Sequence, residues 1–88
     1  MTVYVDHARI PYGRMLMSHM LADTREELLA MARRIGIAER WMQKRGTPSE
    51  HFDICDSKRA LALRHGAEAV TSRQIVEIIR AKRKAAKR

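Results

Sequence analysis

Val3 and Val5 alternate with Thr2, Tyr4 and Asp6, a two-residue period over β-favouring side chains that predicts a first strand across residues 2–6. Pro11 and Gly13 punctuate the stretch from Arg9 to Arg14 and predict a loop. Met15 to Leu21 is apolar with interruptions at Ser18 and His19. Lying between a loop and a helix cap, it predicts a second strand, nearly buried on both faces. Helix is the alternative, because Met and Leu carry no β preference.

A helix follows. Asp23 or Thr24 can cap it, since Asp23-x-x-Glu26 and Thr24-x-x-Glu27 both have the reciprocal capping spacing. Leu28, Met31, Ala32 and Ile35 form its apolar stripe, Arg33 and Arg34 complement the dipole at its end, and Gly36 stops it. A shorter helix is expected over 38–45, anchored by Trp41 and Met42 and broken by Gly46-Thr47-Pro48-Ser49. His51 to Ile54 reads as a short strand. Asp56 or Ser57 then caps a helix over 58–65, with Leu61 inward and Ala60, Ala62 and Leu63 around it. Gly66 ends that helix, residues 67–70 make a brief strand, and Thr71-x-x-Gln74 caps a final helix packing Ile75, Val76, Ile78 and Ile79. This rhythm predicts a small single-domain α/β fold, with about four short strands and three to four helices over 1–79, and a basic C-terminal tail over 80–88.

Composition narrows the picture. A chain of 88 residues makes one domain with a small core. Its single cysteine, Cys55, excludes an internal disulfide framework and a cysteine-based zinc site, and fits a reducing compartment. The first residues lack a basic leader and no apolar run approaches a membrane span, so a soluble cytoplasmic protein with no membrane partner is expected. The net charge of +8 is uneven. Arg80, Lys82, Arg83, Lys84, Lys87 and Arg88 supply six of the 18 basic residues, and without them the rest of the chain is only mildly basic.

Candidate chemistry gathers around residues 51–59. On a strand, His51 and Asp53 share one face, with Phe52 and Ile54 on the other. If Asp6, His19, His51 and Asp53 converge, they form a pocket suited to a divalent metal such as Mn²⁺ or Mg²⁺, and metal-assisted phosphodiester hydrolysis is the matching reaction. The bland alternative keeps each group local: Asp53 and Asp56 cap the next helix, His51 bonds a loop carbonyl, and Asp6 satisfies backbone in the loop after the strand. Lys58 and Arg59 open a helix against its dipole, which suits an anion there, or else they reach back to Asp56 or Asp53. Arg9, Tyr12 and Arg14 can grip a phosphate and stack a base, or form a solvated loop with a packed tyrosine. The core is expected to claim most of the large rings and the methionines. Cys55 is taken as inert.

V-Y-V-D at 3–6, R-I-P-Y-G-R-M at 9–15, S-H-M-L-A-D-T at 18–24, R-R-I-G-I at 33–37, Trp41, H-F-D-I at 51–54 and S-K-R-A at 57–60 resemble a family of short bacterial and phage-borne proteins. These are the DUF4031-like domains of unknown function, and the resemblance spans roughly residues 2–75. It implies that Asp6, His19, Trp41, His51, Asp53, Lys58 and Arg59 match recurring polar and aromatic positions of the family, but it brings no activity. The family pattern carries two acids after the first strand, where this chain has Asp6-His7; that departure weakens a site needing two carboxylates there.

Three functions follow as expectations. The first is a nucleic-acid-associated module contacting phosphates through the tail (Arg80, Lys82, Arg83, Lys84, Lys87, Arg88) together with Arg9, Arg14, Lys58 and Arg59. The second is a metal-dependent nuclease or phosphoesterase using Asp6, His19, His51 and Asp53. The third is a phage or bacterial domain that binds a host or partner protein, with a homo-oligomer formed through methionine-rich surface.

Overall fold

The sheet is built on one long strand, β3 (Met15–Ala22), in a computed structural model that describes residues 2–86. β1 (Val3–Val5) pairs antiparallel with its far end, Val3 opposite Ala22 and Val5 opposite Met20. β2 (Ile10–Tyr12) pairs antiparallel with its near end, Ile10 opposite Met17 and Tyr12 opposite Met15. Met17 and Met20 also pair with Cys55 and Phe52 of β4 (Phe52–Cys55), so β4 occupies the other edge of β3. β5 (Glu68–Ala69) runs parallel to β1 on its outer side.

β1 and β2 are thus two halves of one strand. Five steps carry the chain from Val5 to Ile10 while three carry β3 from Met20 to Met17, so two residues are in surplus and the strand bulges between the halves. Arg9 takes up part of the distortion at φ +52. The predicted loop over Arg9–Arg14 is therefore a tight hairpin. Gly13, at φ +59, takes the first central position of a two-residue turn. All three β2 residues are exposed, so no apolar alternation marks the strand in the sequence.

Alternation sorts the sheet into two faces. Val3, Val5, Met20, Ala22, Phe52 and Ile54 point into the main core against two helices, α1 (Arg25–Ile35) and α2 (Asp56–Arg64). Burying Phe52 and Ile54 contributes about 1.5–3 kcal/mol each, which holds β4 in register. α1 matches its predicted stripe: Leu28, Met31, Ala32 and Ile35 are all buried, and Gly36 closes the helix at φ +80. Thr24 is the cap, accepting from the Glu27 backbone N–H at 3.3 Å and donating its hydroxyl to Glu27 Oε1 at 2.9 Å. Asp23 instead ties the helix start to β1, accepting from Thr2 N and Tyr4 Oη.

The helix expected over 38–45 reduces to one 3₁₀ turn, Glu39–Trp41. Gln43 exchanges backbone hydrogen bonds with His51, at 2.8 and 3.1 Å, and this pairing pulls the chain out of helix. Trp41 is consequently no anchor: it is 60% exposed, with the Arg40 guanidinium 5.4 Å from its ring centre, while Met42 is half-buried against the core. α2 starts directly from β4 at Asp56, two residues earlier than expected, and no side chain caps it. Its most buried residue is Ala62, with Leu61 and Leu63 partly buried against the core.

α3 (Ser72–Ala86) begins at the expected Thr71–Gln74 box, both reciprocal bonds being formed, at 2.8 and 3.0 Å. Ile75 is buried and Val76 exposed. The helix runs on across residue 80, and Lys82 Nζ donates to the Ala22 carbonyl at 3.0 Å, so the inner part of the basic stretch lies against the end of β3. Lys87 and Arg88 lie outside the described residues. The protein is a small α/β domain, with five strands and three α-helices among the described residues. None of its described helices is long and apolar enough to cross a membrane.

Candidate metal centre

The site begins at the bulge. Where the surplus residues break the ladder, the Asp6 carboxylate substitutes for the missing backbone partner. Its Oδ1 accepts from the backbone N–H of His19 at 2.8 Å and of Ala8 at 3.2 Å, and its Oδ2 accepts from His19 Nδ1 at 2.7 Å. The residue is fully buried. Arg59 Nε donates to the Asp6 carbonyl at 2.7 Å, fixing the bulge from α2. Asp6 therefore does satisfy local backbone, and it also sets the orientation of a histidine.

His19 lies directly opposite Asp53 across the β3–β4 ladder, and residues opposed in this way project on the same face. His51 precedes Phe52 and alternates onto that face too. The Nε2 atoms of His19 and His51 stand 3.9 and 3.4 Å from Asp53 Oδ1, and the two rings meet edge to face with centres 5.4 Å apart. His51 Nδ1 donates to the Ser49 carbonyl at 2.7 Å. A carbonyl can only accept, so that nitrogen carries a proton, and in the neutral ring Nε2 presents a lone pair. A carboxylate at Asp6 favours the same tautomer for His19.

One ligand atom from each imidazole and a carboxylate oxygen thus face one point, within 4.8 Å of one another. Acceptors turned on one another repel unless a cation or proton lies between them. Bonds of about 2.1 Å to a single ion would place such atoms roughly 3–3.5 Å apart, a closure well within side-chain motion. Each imidazole already has the outer partner that ligating histidines usually carry, a carboxylate for one and a backbone carbonyl for the other.

Three of the four residues expected to converge do so as donors. Asp6 stands behind His19 with both oxygens engaged, so it is not a fourth ligand. That removes an oxygen from the expected set. A pair of nitrogens with one carboxylate suits Mn²⁺ and its transition-metal neighbours better than Mg²⁺, which favours oxygen.

The expected cationic residues divide. Lys58 Nζ donates to the Ile35 carbonyl at 2.7 Å, closing the C-terminal end of α1, so this cation and Arg59 reach backbone carbonyls rather than Asp53 or Asp56. Arg9 pairs with Asp56 at 3.4 Å. Arg14 is exposed in the hairpin turn, and Arg80, Arg83 and Lys84 are exposed along α3. The Cys55 thiol is held below its usual range by the Ser57 hydroxyl and then by the Lys58 backbone N–H at the start of α2.

His19 and Asp53 also line an open groove of about 760 Å³ between the β2–β3 hairpin and the 3₁₀ turn. Its walls carry Tyr12, Met15, Met17, Trp41 and Cys55, so the core does not claim these rings. Tyr12 is 69% exposed, and among the large rings only Phe52 is fully buried. The loop carbonyl expected for His51 is that of Ser49, while the exposure of Trp41 had no signal in the sequence. An indole next to apolar residues looks like a core residue.

The family model described as "Protein of unknown function (DUF4031)" matches residues 3–82, and the chain belongs to that family. No curated protein and no solved structure matches it.

Proposed function

We propose that this DUF4031 family member is a metal-dependent phosphoesterase or nuclease centred on His19, His51 and Asp53, with Asp6 orienting His19. The observation that carries the reading is the pair of outer anchors: both imidazoles are held through Nδ1, so both Nε2 atoms face the Asp53 carboxylate, and in the neutral rings these are free to ligate. A divalent ion held there would supply Lewis-acid activation of a phosphodiester and of the attacking water. Three protein donors would leave coordination positions for water and substrate, as catalytic sites require. A phosphodiester is favoured as substrate by charge, since the groove wall includes Arg40 and Lys58.

The test is thermal denaturation with Mn²⁺, Zn²⁺ or Co²⁺, followed by turnover of bis(p-nitrophenyl) phosphate. Metal should raise the melting temperature of the protein by mass action, and His51→Ala should abolish that rise along with metal-dependent hydrolysis. No metal-dependent shift at millimolar concentration would refute the reading.

The exposed cations of α3 support a second reading, a nucleic-acid-associated module that holds the phosphate backbone without regard to sequence. The two are compatible, because backbone contacts along α3 would bring substrate to the same domain.

A further inference from the structure

The groove beside the metal centre suggests what kind of phosphodiester is bound. Resting on the reading above, we infer that it takes single-stranded nucleic acid, with bases stacked on Tyr12 and Trp41 and the backbone passing His19 and Asp53. Both rings line the groove and stand mostly exposed, at 69% and 60%. A small domain with few rings gains nothing in folding from leaving two of them in water. The Arg40 guanidinium already lies 5.4 Å from the Trp41 ring centre, a cation placed to meet a phosphate next to a stacked base. Apolar Met15 and Met17 form the surface between the rings and His19, a wall that accepts a base but offers no fixed hydrogen-bond pattern.

The volume of about 760 Å³ lies within the range of small-ligand pockets, and the groove is open to solvent. Asp53 is the acid in its lining, and it is the one a metal would neutralise. Two other occupants fit less well. A second copy of this chain seated groove to groove would set Arg40 and Lys58 against their own equivalents. A peptide adding to the β2 edge would meet Pro11, which has no N–H to donate. Stacked bases inside a duplex have no free faces, so paired strands fit less well than single ones.

Trp41 is the one tryptophan in the chain, so its fluorescence reports on the groove directly. The experiment titrates the protein in EDTA with a single-stranded DNA oligonucleotide, the same sequence as RNA, a blunt duplex and an abasic strand of equal charge. Saturable quenching by DNA or RNA single strands is expected, with the abasic strand and the duplex at least tenfold weaker. Tyr12→Ala should weaken binding of a labelled single strand by about tenfold, the loss typical of one stacked base. Circular dichroism of that variant should match the parent, since Tyr12 is exposed. Equal binding of abasic and base-bearing strands, unchanged affinity on Tyr12→Ala, or no quenching would overturn the inference. Metal is absent throughout, so such a failure leaves the metal-dependent melting shift standing, and loss of that shift leaves the quenching result standing.

Discussion

The exchange of Asp6 for Asn tests the proposed metal centre with the least disturbance to the fold. Asp6→Ala is unsuitable, because it would orphan the backbone N–H groups of His19 and Ala8. At about 1–3 kcal/mol each, those losses could unfold so small a domain. Asparagine keeps one oxygen for both N–H groups, and they fix its orientation, since turning the amide over would set NH₂ against two donors. The amide nitrogen is then left facing His19 Nδ1, where the parent has a carboxylate oxygen at 2.7 Å. An NH₂ only donates, so His19 must accept at Nδ1 and carry its proton on Nε2, which removes the lone pair aimed at Asp53.

Altering an outer partner typically costs 10- to 100-fold in metal affinity. At a metal concentration of about 100 Kd the parent gains roughly 2.7 kcal/mol, or some 10–20 °C at about 4–8 °C per kcal/mol for a domain of this size. The variant at the same concentration should gain only about 0.4–1.4 kcal/mol, roughly 2–10 °C. Differential scanning fluorimetry across a Mn²⁺ or Co²⁺ series measures both, with the metal-free melting temperature as the check on folding. Parental metal affinity in Asp6→Asn would refute the argument, because it would mean that His19 does not bind through the nitrogen its neighbour dictates.

Two further substitutions test the packing. Glu50 is buried, which alone would raise its carboxyl pKa, but hydrogen bonds from Arg25 and the Gly46 N–H outweigh burial and hold it below the usual range. A depressed folded-state value adds stability above the ordinary carboxylate range and loses it as pH falls through the folded-state pKa. Glu50→Gln should therefore melt lower at neutral pH and lose less on acidification; parallel pH profiles for the two proteins would contradict this. Ser18 Oγ is buried without a hydrogen-bond partner, alone in this among buried side-chain polar atoms of the described residues. Ser18→Ala should hold or raise stability by about 1 kcal/mol in a urea melt, and a clear loss would show that the hydroxyl is satisfied.

What could be read in the chain depended on how local each feature is. The α1 stripe, its Thr24 cap and its Gly36 stop depend on contacts within four residues, and all are present in the structure. The shared face of His51 and Asp53 follows from strand alternation alone. Convergence with His19 required the β3–β4 register, which Phe52 and Ile54 impose by burial but which no spacing announces. The Lys58 and Arg59 side chains bond carbonyls 23 and 53 residues away, so their apparent defiance of the helix dipole had no visible cause in the sequence. β2 and the segment after α1 depart from the expected pattern for a related reason. Exposed Ile10-Pro11-Tyr12 carries no period, and the Gln43–His51 pairing overrides the helical propensity of its neighbours.

The two surplus residues between β1 and β2 have one more consequence. Because Asp6 fills the gap that they open, the carboxylate that aims His19 is also a seam in the sheet. Half of the candidate centre thus belongs to the first hairpin and half comes with β4, and the β3–β4 register brings the two together. A slip of β4 by one residue would turn Asp53 and His51 to the opposite face along with Phe52 and Ile54, so the core and the site stand or fall on one alignment.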